Sequence, residues 1–280
     1  MQVFGKTKGV VDALNKLKKE GKSIGFVPTM GALHAGHITL IERAVSENDI
    51  VVASIFVNPT QFNDQNDLRN YPRNLEKDLR NLEAAACDIV FFPEVIDMYP
   101  EPDNRVFNFG RLEEVMEGAH RPGHFNGVAQ VVSKFFDIIK PHRAYFGEKD
   151  FQQLTIIREM DRQLSFQIEI VPCPIVREPD GLAMSSRNQL LSPEQRASAP
   201  LIAKTLFYAQ KHIKDWSVEQ MKEEVIGTIN QDENLEVEYF EIADENTLLP
   251  IENWHDSDRP RAFIAVKDGG VRLIDNVIFY

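Results

Sequence analysis

Cysteine is scarce in this chain. Its 280 residues include two, Cys87 and Cys173, too few and too widely spaced for a disulfide framework or a cysteine-ligated zinc site. Both are expected to be buried as small hydrophobes in a reducing compartment. No apolar run approaches the roughly 20 residues that span a bilayer, so no membrane partner is expected. Met1–Lys6 lacks the long apolar core of a secretory signal, which makes the cytoplasm the expected location. Basic charge is in deficit: 31 Lys and Arg against 43 Asp and Glu leave a net charge of −12. Nucleic-acid binding draws its affinity from Lys and Arg neutralising phosphates, so a nucleic-acid partner is not expected either. A local basic pocket for a small anion is still compatible with the balance. Internal repeats and low-complexity tracts are also absent.

What remains is a globular composition, 43% hydrophobic and 26% charged, in which apolar runs alternate with amphipathic stretches over the first 175 or so residues. Val10–Lys19 has helical spacing. Ser23–Val27 reads as a strand, and the helix that follows is expected to start near Leu33. Ile50–Val57 is continuously apolar, as in a strand covered on both faces. Further strands are expected at Asp88–Phe92, Ala144–Phe146 and Ile168–Val171, with helices at Asn74–Ala86, Val128–Ile139 and Asp150–Leu164. Strands alternating with helices imply an α/β fold with a doubly wound parallel sheet, in which ligands sit at the carboxyl ends of the strands. After Val176 the pattern changes. Ser192-Pro193-Glu194-Gln195 is a helix start with a capping box, and runs at Val237–Ile242, Arg261–Val266 and Val271–Ile278 are strand-like. The expected division is therefore a Rossmann-like domain over 1–175 and a smaller α+β domain over 176–280.

Two short segments carry the chemistry. Pro28-Thr29-Met30-Gly31-Ala32-Leu33-His34-Ala35-Gly36-His37 follows an apolar run, and Met184-Ser185-Ser186-Arg187 follows another. Gly31 and Gly36 let backbone approach a ligand, and a helix N-terminus offers amides and about half a positive charge to phosphate. His34 and His37, three residues apart, fall on one helical face. A zinc site is disfavoured because no third ligand and no Glu lie nearby. The two segments read as halves of a triphosphate clamp and are expected to converge on one polyanion, with closure between the domains when ATP binds.

These segments are similar to the His-Ile-Gly-His and Lys-Met-Ser-Lys-Ser elements of the class I aminoacyl-tRNA synthetase and nucleotidyltransferase superfamily. Phe56-Val57-Asn58-Pro59-Thr60-Gln61-Phe62, Arg121-Pro122-Gly123-His124-Phe125 and Phe146-Gly147-Glu148-Lys149-Asp150 stand between them in order. From about residue 20 to residue 196 the run resembles the pantothenate synthetase (pantoate–β-alanine ligase) family. The last 80 or so residues fit in length and pattern without a motif. Asn126 departs from the family pattern, where a charged residue is often found.

The resemblance implies an ATP-dependent ligase. Pantoate would be activated as a pantoyl-adenylate with release of diphosphate, and β-alanine would then displace AMP. It implies ATP with Mg²⁺, a homodimer, and the following roles. Met30, Gly31, Ala32, Leu33, His34, Ala35, Gly36 and His37 would form the ATP turn, with His34 and His37 toward phosphate and His37 the proton donor. Gly147, Glu148, Lys149 and Asp150 would contact ATP, Lys149 at phosphate and Asp150 at ribose. Val176 and Met184 would offer backbone to adenine, while Ser185, Ser186 and Arg187 would hold the triphosphate. Gln61 and Gln153 would bond pantoate, with Gln61 also near β-alanine. A carboxylate attacking a phosphate brings like charges together, so His37, His34, Lys149 and Arg187 as neutralising groups make chemical sense. Gln153, one helical turn beyond Lys149, is expected on the same side.

Blander roles exist for each residue. Gln61 could cap the following segment, and Lys149 could pair with Glu148 or Asp150 in solvent. Arg121 and His124 could line the site or only shape their loop. Among functions, a nucleotidyltransferase acting on a phosphorylated acceptor such as phosphopantetheine competes, as does a non-catalytic ATP sensor. The second domain and the neutral Gln61 and Gln153 amides favour a carboxylate acceptor.

Overall fold

The alternating apolar runs become a six-stranded parallel sheet in the order β1-β4-β3-β2-β5-β6. Its strands are β1 (Gln2–Phe4), β2 (Ile24–Thr29), β3 (Ile50–Ile55), β4 (Ile89–Phe91), β5 (Arg143–Gly147) and β6 (Glu169–Cys173). The computed structural model describes residues 1–280, which divide into two units. The first unit comprises Met1–Phe109, Arg121–Glu148 and Gln153–Pro174 and contains this sheet. The second comprises Gly110–His120, Lys149–Gln152 and Ile175–Tyr280. No helix is long and apolar enough to cross a membrane.

In the first unit the strand sequence reverses direction at β2, with β3 on one side and β5 on the other. Six residue pairs join β2 to β3, from Ile24–Ile50 to Thr29–Ile55, but two join β2 to β5, Gly25–Arg143 and Phe26–Ala144. Pro28, which has no N–H to donate, stands where the β5 pairing has already stopped. β2 and β5 thus part after Phe26, at the switch point on the carboxyl side, where ligands sit in sheets of this kind.

Apolar side chains cover both faces of this sheet. On one, Ile41 and Ala44 of the helix Ala35–Glu47 pack with Val27, Val51, Ala53, Val90 and Tyr145. On the other, Phe135 of the helix His124–Ile139 sits at the centre of an aromatic slab, its ring 5.5 Å from Phe26, 6.2 Å from Phe56 and 6.1 Å from Phe91. Both cysteines are unpaired and buried, and burial pushes the Cys87 thiol up to about 12. They are packing residues, as their scarcity implied.

The turn after β2 is set by a buried carboxylate. Asp78, 1% exposed on the helix Leu75–Ala84, accepts the Ala32 amide at 2.8 Å and the Leu33 amide at 2.7 Å. Gly31 and Ala32 both take positive φ, +82° and +50°. A Cβ at Gly31 would lie 3.0 Å from the Asp78 carboxylate. This turn delays the helix: it begins at Ala35 with His34 as its N-cap, rather than near Leu33.

The second unit has a three-stranded antiparallel sheet, β7 (Leu235–Asp244), β8 (Pro260–Asp268) and β9 (Val271–Ile278), in that order. Helices Pro200–Lys211 and Val218–Ile229 bury Ile202, Leu206, Met221 and Val225 against Ile242, Ile264 and Val277. The capping box read at Ser192–Gln195 is present. A bulge between Val237 and Tyr239 interrupts β7. There Glu117, from the short Met116–His120 helix, forms a two-point ion pair with Arg272 at 2.8 and 2.7 Å and accepts the Tyr239 hydroxyl at 2.8 Å. Gln152 ties the same segment down, donating to the Leu112 and Val115 carbonyls and accepting the Glu117 amide. At the end of β8, Asp268 is fully buried and no donor of the protein reaches either carboxylate oxygen. Burial, with Asp232 adding repulsion, pushes its carboxyl up to about 6.

Two outcomes are expected from these carboxylates. Asp78→Ala strands two buried amides and should cost about 2–3 kcal/mol, read from denaturant unfolding followed by circular dichroism, with Asp78→Asn recovering part of the loss. An unchanged midpoint for Asp78→Ala would show that the turn holds itself. For Asp268, the folded state keeps its proton up to about pH 6, whereas the unfolded carboxyl releases it near the ordinary value of about 3.9. Its contribution is complete below about pH 4 and is lost as pH rises toward 6. Asp268→Asn should flatten that slope in a series of thermal melts, and an identical slope in the variant would remove Asp268 as its cause.

Candidate active site

In the first unit the glycine turn carries its two imidazoles just beyond the carboxyl end of β2. The Thr29 hydroxyl donates to the Ser54 carbonyl at 2.6 Å and accepts the Gly31 amide at 3.2 Å, which fixes where the strand ends. His34 has extended backbone at the N-cap, and His37 lies in the first turn of the helix. Their rings are 4.0 Å apart, tilted by 41°. The expected shared helical face is thus replaced by direct ring contact across the cap. The His34 amide donates to His37 Nδ1 at 3.4 Å, so a neutral His37 carries its proton on Nε2. Ala35 is exposed, and buried Gly36 keeps backbone near the surface. This arrangement combines helix amides with imidazole donors at an end of the helix that favours anions.

Gln61 closes the short 3₁₀ turn Pro59–Gln61 that follows β3 and is 9% exposed. Its Nε2 lies 3.4 Å from the Met30 sulfur, and its Oε1 accepts from Asn58 Nδ2 at 3.3 Å. The following segment, the helix Gln65–Asn70, is capped by Asp64, which accepts the Asn66 amide, while Asn58 caps Gln61's own turn by accepting the Thr60 amide. His124 is buried, with Nδ1 2.8 Å from the Gln61 carbonyl and Nε2 3.2 Å from Arg121 Nη1. Arginine can only donate, so a neutral His124 accepts at Nε2 and donates from Nδ1 to Gln61. Arg121 and His124 therefore shape and hold the Gln61 loop. Gly147 ends β5, and Glu148 follows it half-buried. Gln153 is half-buried on the helix Phe151–Leu164.

The second unit carries the remaining candidates. Lys149 stands in the 3₁₀ turn before the helix, so helical spacing does not relate it to Gln153. Its side chain is 18% exposed, and its ammonium is 3.9 Å from the Asp150 carboxylate. Val176 and Met184 face each other, the Met184 amide donating to the Val176 carbonyl at 3.0 Å, and an Arg177–Ala183 bridge continues this small hairpin. Ser185 caps the 3₁₀ turn Ser186–Leu190 by accepting the Arg187 amide at 3.3 Å. Ser186 is buried and Arg187 half-buried.

Two β9 residues that no motif marked organise this half. Asp275 receives Arg177 in a fork of 2.6 and 2.8 Å, and burial raises its carboxyl although the arginine opposes the shift. Asn276 donates to the Lys149 carbonyl at 3.0 Å and accepts Arg261 at 2.6 Å. One strand thereby anchors both the hairpin of Val176–Met184 and the backbone of Lys149. Asp78, Asn58, Asp275 and Asn276 are the polar residues the sequence reading missed. Their one signal is an acid or amide inside an apolar or amphipathic run, which does not reveal its partner.

Residues 2–278 match the family described as pantoate-beta-alanine ligase. The pantothenate synthetase of Bacteroides fragilis is 54% identical over 277 residues, covering 99% of this chain and 98% of the relative. A crystal structure of pantothenate synthetase from Thermus thermophilus superposes with a TM-score of 0.94 at 43% identity, covering 100% of both chains. Pantoate-beta-alanine ligase from Francisella tularensis, complexed with beta-gamma ATP and beta-alanine, gives 0.86 at 37%, covering 100% of this chain and 98% of that one. The fold, the histidine turn and these full-length matches agree: the chain belongs to the pantoate–β-alanine ligase family.

Proposed function

We propose that this chain condenses pantoate with β-alanine at the expense of ATP, through a pantoyl-adenylate, giving pantothenate, AMP and diphosphate. The observation that carries the reading is the histidine pair at 4.0 Å on a helix N-terminus, in the same unit as the buried neutral amide of Gln61. A phosphate site and an acid site are thus each furnished with suitable groups. The pantoate carboxylate attacks the α-phosphorus, and the bond to the β-phosphate breaks as diphosphate leaves. The β-alanine amine then attacks the acyl carbon and expels AMP.

The residues divide by chemistry. Met30–His37 supply turn amides and imidazoles to phosphate, with His37 Nε2 donating as charge develops on the leaving group. Gly147–Asp150 border the nucleotide, Lys149 neutralising phosphate and Asp150 bonding ribose. Val176 and Met184 offer backbone to adenine, and Ser185, Ser186 and Arg187 hold the triphosphate. Gln61 and Gln153 bond pantoate. Mg²⁺ enters on the ATP phosphates. The chain gathers no group of three or more His, Cys, Asp or Glu side chains suited to a metal, and Mg²⁺ on a nucleotide needs only one or two protein carboxylates. The working form is a cytoplasmic homodimer.

Diphosphate release that depends on pantoate but proceeds without β-alanine tests the reading directly. Release requiring a phosphorylated acceptor instead would replace it with the competing nucleotidyltransferase reading. Lys149→Ala should slow adenylate formation by about 100-fold or more, the scale of losing one preorganised charge partner, and should lower kcat more than ATP binding. His37→Gln should lose a similar factor. Near-normal single-turnover adenylation in either variant would remove that residue from the charge-stabilising set.

A further inference from the structure

Whether Gln61 can hold an acid depends on which end of its amide faces the substrate. A carboxylate accepts hydrogen bonds and cannot donate them, so the NH₂ end is required. The backbone around Gln61 is already fixed. His124 holds its carbonyl, and the helix His124–Ile139 packs so closely that a Cβ on Gly127 would lie 2.4 Å from the Thr60 carbonyl oxygen. What stays free is the rotor of the Gln61 amide itself.

We propose that Tyr99 is a positioning residue which, through Asn58, turns the Gln61 amide so that its NH₂ end is presented to the carboxylic-acid substrate. The proposal rests on the assignment of Gln61 to the acid site. Asn58 is 1% exposed, and its orientation is decided by backbone groups of single polarity. Its Nδ2 lies 3.1 Å from the Gly127 carbonyl, which can only accept, and its Oδ1 lies 3.4 Å from the Thr60 amide, which can only donate. Tyr99 donates its hydroxyl proton to that same Oδ1 at 2.9 Å, the shorter of these two bonds. Asn58 Nδ2 then also faces Thr60 Oγ1 at 3.0 Å and Gln61 Oε1 at 3.3 Å. With Oε1 occupied by a donor, Gln61 Nε2 points the other way, toward the Met30 sulfur at 3.4 Å. A thioether is a weak acceptor that a carboxylate readily displaces.

Tyr99 is itself held firmly. The Lys134 ammonium sits 5.1 Å over its ring and 3.4 Å from Asp103, which Arg105 also binds at 2.6 Å. Burial raises the phenol above its ordinary value, so the hydroxyl keeps its proton across neutral pH. Without that hydroxyl, Asn58 Oδ1 retains the Thr60 groups, the amide at 3.4 Å and the hydroxyl at 3.2 Å. The Asn58 plane then loses its best-placed donor, and Gln61 loses its fixed polarity.

The test is steady-state diphosphate release by Tyr99→Phe, Gln61→Ala and the double variant, at a temperature where circular dichroism shows all three folded. Tyr99→Phe should raise the KM for pantoate about 3- to 10-fold, the range of one buried hydrogen bond, and leave the KM for ATP unchanged. In the Gln61→Ala background it should add nothing, because coupled residues are not additive. An unchanged pantoate KM, a parallel rise in the ATP KM, or the same fold-rise without Gln61 would each overturn the proposal. A wild-type chain releasing no diphosphate on addition of pantoate would instead overturn the substrate reading, and this one with it.

Discussion

The Asp78 carboxylate lies out of reach of water and accepts two adjacent amides, those of Ala32 and Leu33. Those amides belong to the turn in which Gly31 and Ala32 take positive φ, a conformation that costs an alanine roughly 1–2 kcal/mol. A carboxylate bonded twice compensates that strain and keeps the helix from starting two residues earlier. Had it started near Leu33, His34 would be an ordinary helical residue. Held back to the N-cap, its ring meets His37 at 4.0 Å. The pairing of the two imidazoles is thus a consequence of a residue more than 40 positions further along the chain, and the aromatic slab under β2 is the rigid floor on which the turn is built.

In the second unit the equivalent constraint is β9. A strand gives its side chains fixed spacing and alternating direction, so consecutive residues reach different neighbours. Asp275 holds Arg177 at the base of the Val176–Met184 hairpin, and Asn276 holds the Lys149 carbonyl. Glu117 and Gln152 bind the Gly110–His120 segment to the same unit. The Val176–Met184 hairpin, the Lys149 turn and the Gly110–His120 segment are thereby hung on regular structure.

Much of this was legible in the sequence. The α/β sheet followed from the alternation of continuous apolar runs with helical periods. The strands of the second sheet followed from the strand-like runs after Val176, and Val271–Ile278 matches to the residue. The three-residue strand β1 and the short helices Gln65–Asn70, Val95–Met98 and Met116–His120 were not legible, being too short to display a period. Among the candidate site residues, those in motifs could be singled out because glycine, histidine and serine fall together in segments that follow apolar runs. Asp78, Asp275 and Asn276 were not found, because what distinguishes them is a partner distant in sequence, and Asn58, although it stands within a motif, gave no sign of its bonds to Gly127 and Tyr99. The Gln152–Gln153 pair shows the limit well: period alone does not say which of two adjacent amides is structural, whereas the three bonds of Gln152 settle its own role.

On the proposed reaction, the division between charged and neutral groups has a physical reason. The phosphate side needs positive charge and donors, since negative charge accumulates there as the carboxylate approaches; Lys149 and Arg187 supply the charge and the imidazoles supply donors. The acid side needs the opposite restraint. An arginine or lysine paired with the pantoate carboxylate would bind it more tightly but would also stabilise its charge in the ground state, which raises the barrier to attack. A neutral amide fixes the direction of the carboxylate while leaving most of its charge for the α-phosphorus. The strength of such a donor is modest, so its value lies in direction, and direction requires that the amide not rotate. That is why a neutral hydrogen-bond network, from Tyr99 through Asn58 to Gln61, surrounds a residue that carries no charge.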